Sequence, residues 1–200
     1  MKKRNVGLVL ALGLALGCLG GCKGKEKIEI VDGHETINQE ILINETNFPD
    51  EVFRELIKSQ FDTDGNERLS REEADVRIMH LSSMGIGDLK GIECFTNLVD
   101  LLCPYNQLTE LDLSKNMNVR SLVCRNNQLV KLKINGSSME SLVCSDNQLT
   151  ELDLSGCERL QLLRCSNNAL TELDLSRNYL EVMVEADEGV NIIRPTKAEE

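Results

Sequence analysis

The sequence predicts a mainly β solenoid, with leucine-rich coils carrying parallel strand ladders on both sides and a small α-helical cap at the amino end. Two observations carry this. First, residues 98–179 hold four near-copies of one phrase, LVDLLCPYNQLTELDLS, VRSLVCRNNQLVKLKIN, MESLVCSDNQLTELDLS and LQLLRCSNNALTELDLS. Aligned on Cys103, Cys124, Cys144 and Cys165 they recur at 21, 20 and 21 residues, and Asn106, Asn127, Asn147 and Asn168 follow each Cys by three. Self-similarity at so short a fixed period marks stacked coils. Second, the apolar slots Cys103, Leu113, Cys124, Ile134, Cys144, Leu154, Cys165 and Leu175 step by ten or eleven. Each copy therefore consists of two like halves reading roughly LxxLxLxxN, and the alternation in L-x-C and L-x-L is that of a short strand with one buried face.

Ten residues cannot hold a strand, two corners and a helix, so the coils must be flat. A single coil has no core of its own. Only stacking at roughly 4.8 Å buries the Leu rows, which is why the copies come in tandem. The phrase LxxLxCxxNxLxxLDLS resembles the bacterial leucine-rich repeats, in particular a nested 21-residue subtype, over residues 76 to about 186. That resemblance implies a non-catalytic interaction scaffold on a secreted or surface protein, and it names no partner.

At the amino end, Met1 to Gly21 has a basic start (Lys2, Lys3, Arg4), an apolar stretch rich in Leu, Gly and Ala, and then Leu19-Gly20-Gly21-Cys22. This reads as an export signal over residues 1–21, too short and glycine-rich for a comfortable membrane span. The LGGC ending resembles a bacterial lipobox, which makes Cys22 the lipidated residue and the mature protein a lipoprotein of the bacterial cell membrane. Cys18, a non-lipid signal and an uncleaved anchor are the alternatives. Removing the signal takes away three basic groups and moves the formal charge from -11 to -14. So acidic a chain repels nucleic acid. With 3% aromatics and no Trp, base stacking and aromatic sugar platforms are equally poor readings.

Residues 22–46 are polar and charged and read as a tether, with an extended edge near KIEIV. Compact structure is expected from residue 47. Asn47 or Phe48 is a candidate helix cap, Pro49 fits the first turn, and Val52, Phe53, Leu56, Ile57 and Phe61 share one helical face. The helix runs into DTDGNERLSREE, residues 62–73, which resembles a twelve-residue EF-hand loop. That resemblance implies Asp62, Asp64, Asn66, the Arg68 carbonyl, Ser70 through water and Glu73 as calcium ligands. Glu67 stands where the loop normally has Gly, and a side chain in the left-handed region costs about 1–2 kcal/mol. Weak calcium binding and a metal-free helix-loop-helix cap over residues 47–75 are both compatible with this stretch. The repeats themselves require no cofactor.

Residues 76–97 resemble an ordinary leucine-rich repeat whose LxxIxxFxxL spacing suits a tight helical turn, and they read as the capping coil. After residue 179 the beat decays. Over residues 180–200, Val190 to Ile193 is a candidate last strand before Arg194-Pro195.

Six cysteines remain after Cys22. An even number in an exported chain suggests disulfides, yet four of them hold inward slots occupied elsewhere by Leu or Ile, so packed free thiols are expected. Zinc is disfavoured, because a single-file row does not offer a tetrahedron. Cys157 falls in the second-half equivalent of the Asn row (Asn116, Ser137, Cys157, Asn178). The Asn rows themselves should satisfy backbone groups freed at the corners. Neither His34 nor His80 has partners in a catalytic phrase, and no convergent acid, base or nucleophile is found, so no enzyme is predicted.

Function is therefore sought on outward positions. On the Leu-Asp-Leu side, Glu110 and Asp112, Lys131 and Lys133, Glu151 and Asp153, and Glu172 and Asp174 should form a solvated face, the lysines lying between carboxylates. On the Leu-x-Cys side the central row is Leu102, Val123, Val143, Arg164 and Val184, flanked by Ser121, Arg125, Ser141, Leu162 and Ser166. This mostly apolar stripe is either the contact surface for a protein ligand at the cell surface or simply β-branched strand filler.

Overall fold

The computed structural model of the chain describes residues 27–37, 39–178 and 181–195. The signal segment, Cys22, the first tether residues, Tyr179, Leu180 and residues 196–200 lie outside that set. Three short strands, β1 (Glu29–Val31), β2 (His34–Ile37) and β3 (Glu40–Leu42), precede helix α1 (Glu51–Gln60), and β4 (Arg68–Leu69) follows it. The solenoid strands continue in chain order as β5 (Ile78–His80), β6 (Asp100–Leu102), β7 (Glu110–Leu113), β8 (Ser121–Val123), β9 (Lys131–Ile134), β10 (Ser141–Val143), β11 (Leu162–Arg164), β12 (Glu172–Asp174), β13 (Met183–Glu185) and β14 (Asn191–Ile193).

On the Leu-x-Cys side, six strands form one continuous parallel sheet in the order β13-β11-β10-β8-β6-β5. Met79, Leu101, Leu122, Leu142, Leu163 and Val184 are in register across it, and all but the last are buried. Cys103, Cys124, Cys144 and Cys165 form the next inward row, each at most 1% exposed. Each fully buried Leu contributes roughly 1.5–3 kcal/mol, and that gain exists only where a neighbouring coil covers it.

The opposite side departs from the expected continuous ladder. It pairs β7 with β9 and β12 with β14, and the coil between them, residues 151–154, carries no strand.

The amino-terminal cap differs from expectation in three ways. The stretch read as a tether with an extended edge near KIEIV holds three strands, β1 on that edge and β2 and β3 beyond it, and they form an antiparallel sheet that ends on β4. The outer edge β1 is fully exposed, but Thr36 is buried, and the buried Asn47 ties the sheet down through the backbone of Glu35 and Leu42. The helix cap is Asp50, whose carboxylate accepts from Phe53 N, so Pro49 lies before the helix. Phe53 and Ile57 are buried while Val52, at 45% exposure, points to solvent. Finally, no second helix follows the loop: residues 71–74 make a single turn, because only four residues separate Glu73 from β5. The capping coil does contain the expected tight turn, a 3-10 helix at Ile92–Cys94. Phe48, Phe53 and Phe95 are fully buried at this end, and Phe61 packs on Phe95 at 5.5 Å.

Candidate functional site

Two regions hold the residues singled out from sequence: the outer face of the six-stranded sheet and the loop at residues 62–73.

On the sheet, strict register fixes which side chains share a row, because a shift of one residue turns a side chain to the other face. The outward row is His80, Leu102, Val123, Val143, Arg164 and Glu185. Leu102, Val123, Arg164 and Val143 stand where the sequence placed them. Val184 does not: it pairs with Leu163 in the inward row and packs half-buried on the core. Its place is taken by Glu185, which pairs with Arg164 (Nε to Oε2, 3.1 Å). The neighbouring outward row is Ile78, Asp100, Ser121, Ser141, Leu162 and Met183. On the other flank the Arg125 guanidinium lies over the Tyr105 ring at 4.9 Å, a cation–π contact. The result is a half-exposed apolar centre of Leu102, Val123 and Val143, closed at one end by an ion pair and bordered by serines.

The corner behind this face is built by asparagine. Asn147 Nδ2 donates to the carbonyls of Cys144 and Ser145 in its own coil and of Cys124 in the coil before, and its Oδ1 accepts from Leu129 N. Asn127 and Asn168 repeat the pattern, and Asn106 applies it to the capping coil. The residue before each Asn is left-handed: Tyr105, Asn126, Asp146 and Asn167 have φ of 58°, 55°, 57° and 59°. Asn and Asp tolerate that region best, which accounts for their recurrence there.

Among the described residues the thiols are free, Cys94, Cys103, Cys124, Cys144, Cys157 and Cys165 alike. Burial pushes Cys103 up to about 12 and Cys165 to about 11, and Cys124 and Cys144 are likewise raised by burial and by neighbouring thiols. Thiols so protonated are packing groups and poor nucleophiles. Cys157 is buried at the opposite corner and raised to about 11 by burial.

On that opposite side, Glu110 faces Lys131 and Asp112 faces Lys133, with Lys133 Nζ 3.2 Å from Asp112 Oδ2. The aspartates have a second role that sequence reading missed. Asp112, Asp153 and Asp174 each accept the backbone N–H two residues on, from Ser114, Ser155 and Ser176. The signal was present as a recurring D-x-S, the Asx-turn spacing. Burial pushes Asp112 up, but the Ser114 bonds and the Lys133 ammonium together outweigh it and hold it below the usual range; Ser155 lowers Asp153 and Ser176 lowers Asp174.

In the loop, the carboxylates of Asp62, Asp64 and Glu73 lie within 4.8 Å of one another. Glu67 adopts φ 59°, the left-handed conformation that the glycine position demands. Asp62 accepts from Asn66 N and Glu67 N, and Asn66 Oδ1 accepts from Arg68 N. Glu73 bridges the loop, taking Thr63 N and Oγ1 on one oxygen and Ser70 N and Oγ on the other. Burial opposes its ionisation, yet those four donors outweigh it and hold its pKa at about 2. The donor set is all oxygen, which suits a hard cation. Ser70 and Asn66 are tied within the loop, and Arg68 lies in β4, paired with β3.

His34 lies outside both regions. Its Nε2 is 3.1 Å from Glu93 Oε1, fastening β2 to the capping coil, and His80 is exposed on the sheet face.

No protein-family profile matches the chain. Internalin J of Listeria monocytogenes serotype 4b (strain F2365) is 36% identical over 70 residues, covering 34% of this chain and 8% of that protein. The solved functional domain of InlJ from Listeria monocytogenes, which includes a cysteine ladder, superposes with a TM-score of 0.63 at 34% identity, over 70% of this chain and 31% of that one. An internalin from the same species, InlF, aligns at 21% identity and a TM-score of 0.46, over 67% of this chain and 52% of that one. The chain thus spans a small part of the relative it matches, and by sequence and fold it is a leucine-rich-repeat solenoid similar to the Listeria internalins.

Proposed function

We propose that the chain is a non-catalytic, exported scaffold that binds a protein ligand on the outer face of its six-stranded sheet. The observation that carries this reading is the in-register row Leu102, Val123 and Val143, half-exposed in the middle of a rigid sheet and rimmed by Ser121, Ser141, Arg125 and the Arg164–Glu185 pair. Apolar centres with polar rims are how protein interfaces are built. The likeness to internalins supports the same class of function. Photo-crosslinkers placed at Val123 and, as a control on the other side, at Asp153 test it on intact cells. Adducts from position 123 alone are expected; equal adducts from both positions would overturn the assignment of the face.

Anchoring through lipid on Cys22 belongs to the same proposal. Among the described residues no helix is long and apolar enough to cross a membrane. Cys22→Ala should move the chain from the membrane fraction to the soluble one.

A second role, weak calcium binding at residues 62–73, is favoured by the three converging carboxylates and by the conformation of Glu67. Asp62, Asp64, Asn66, the Arg68 carbonyl, Ser70 and Glu73 would hold the ion, which would brace the cap. Calorimetry should show binding at about 10⁻⁴ to 10⁻³ M, the range of extracellular modules. Absence of heat at millimolar calcium would remove this role and leave the scaffold reading intact.

A further inference from the structure

We infer a binding site for a tetrahedral oxyanion, of the phosphate or sulfate class, where the corner leading into the six-stranded sheet brings Arg77 and Arg120 over Val99. Successive backbone bonds place Arg77, Val99, Arg120 and Glu140 on consecutive rungs: Val99 N donates to Arg77 O, Arg120 N to Val99 O, and Glu140 N to Arg120 O. The two arginines thus flank Val99 from two rungs apart, roughly 10 Å between Cα atoms. That span is short enough for two guanidinium groups to close on one anion. Between them lies an open cavity of about 410 Å³, lined by Asp75, Arg77, Asn97, Val99, Asn118, Arg120 and Ser138.

The charge balance of this spot contrasts with that of the chain, whose formal charge is -11. Arg77 has no ion-pair or hydrogen-bond partner for its guanidinium among the described residues. Arg120 has one carboxylate, Glu140, at 3.9 Å. Asp75, the one acid in the lining, is engaged by Asn97 Nδ2 at 2.8 Å. Asn118 Nδ2 donates to Thr96 O at 3.0 Å, so each asparagine keeps one free N–H, and the Ser138 hydroxyl is at the rim. Two guanidinium forks, two amide N–H groups and a hydroxyl are more donors than the two oxygens of a carboxylate can use. The four oxygens of a phosphate or sulfate match them better, and the planar fork suits such an anion bidentately. The cavity borders the sheet face, so an anionic group on a ligand lying across that face would reach it.

The test uses the full chain, following the arginine side-chain N–H signals by NMR at constant ionic strength. Inorganic phosphate, dimethyl phosphate and acetate are titrated separately. Saturable shifts at Arg77 and Arg120 are expected with phosphate in the millimolar range. Arg77→Gln and Arg120→Gln should each weaken binding by about tenfold, as loss of a charge-assisted fork does, without lowering the melting temperature. Arg159→Gln, an exposed arginine one coil further on, should leave binding unchanged. Saturation by dimethyl phosphate as well would identify the source as an esterified phosphate, and saturation by inorganic phosphate alone would identify the free ion. Absence of saturable shifts at both arginines, equal weakening in Arg159→Gln, or tighter binding of acetate than of phosphate would overturn the site.

Discussion

The two sides of this solenoid are built from the same half-repeat, yet one is a continuous sheet of six strands and the other two isolated pairs. The difference lies at the corners. On the sheet side the asparagine amide reaches carbonyls of two successive coils, as Asn147 does with Cys144 and Cys124. On the other side Asp112, Asp153 and Asp174 accept the backbone N–H of a serine of their own coil, Asp112 also taking Lys133 Nζ from the next. Only Asn116 and Asn178 of the corner row send an amide back one coil, to Ile92 O and Phe95 O and to Leu154 O and Cys157 O. One corner stitches every coil to the one before; the other does so at Asn116 and Asn178 and has no amide at Ser137 and Cys157. The strandless coil at residues 151–154 lies just before Cys157, one of the two positions where this row has no amide to send across.

The sharpest way to break this contrast is Asn147→Ala. It removes the grip on Cys124 and strands half-buried carbonyls and the Leu129 N–H, each unmet group costing about 1–3 kcal/mol. A loss of about 3 kcal/mol is expected in urea unfolding, against about 0.5–1 kcal/mol for Asp153→Ala, which frees a single turn N–H. Equal losses would refute the distinction between the corners.

Packing on the weaker side gives the next effect. A Cβ at Gly136 would meet the carbonyl carbon of Gly156 at 2.4 Å, whereas one at Gly156 finds nothing nearer than 3.8 Å. Gly136→Ala should therefore cost about 2 kcal/mol through backbone displacement, and Gly156→Ala almost nothing. Thermal melts of the two variants, made side by side, check the asymmetry.

Acid should separate the two sides without any mutation. Folding lowers the pKa of Asp112, Asp153 and Asp174. The stabilisation they give is complete above about pH 4, the unfolded aspartate value, and is lost as pH falls through their folded values. Glu73 in the cap behaves likewise, its contribution fading from about pH 4.3, the unfolded glutamate value, down to its folded pKa of about 2. Asparagine does not titrate. Hydrogen exchange near pH 3 should show the N–H groups of Ser114, Ser155 and Ser176 losing protection before those of Leu108, Leu129 and Leu149. The smallest change in stability is expected from the Val123→Glu, Val143→Glu pair on the outer sheet face. Its melting temperature should hold while capture of the protein ligand is lost.

The repeat arithmetic made the Leu and Cys rows legible before any coordinates, because a buried slot repeated at a fixed period has one structural meaning. Where the marker residue changed, legibility failed. Ala186 occupies the slot of Cys165 one coil later, and without a Cys there to anchor the count Val184 was read as outward when it is one residue out of step. Strands β2 and β3, beyond the extended edge expected near KIEIV, are hidden for another reason: they are three or four residues long, rich in charge, and exist through pairing with β4 and the anchoring of Asn47, contacts that no local pattern announces. The spaced oxygens of residues 62–73 are legible in the sequence, and the fastening of Glu73 by Thr63 and Ser70 is not. The aspartates of the second side read as solubilising charge, because outward acids look alike until their turns are seen.

The four phenylalanines of the chain, Phe48, Phe53, Phe61 and Phe95, all lie at the amino-terminal cap. The coils that follow contain only aliphatic and thiol layers, each of which needs a finished neighbour to sit on. A polypeptide that leaves a ribosome or a translocation pore amino end first delivers its densest nucleus first. Each later coil then has a finished neighbour on which to bury its own apolar row.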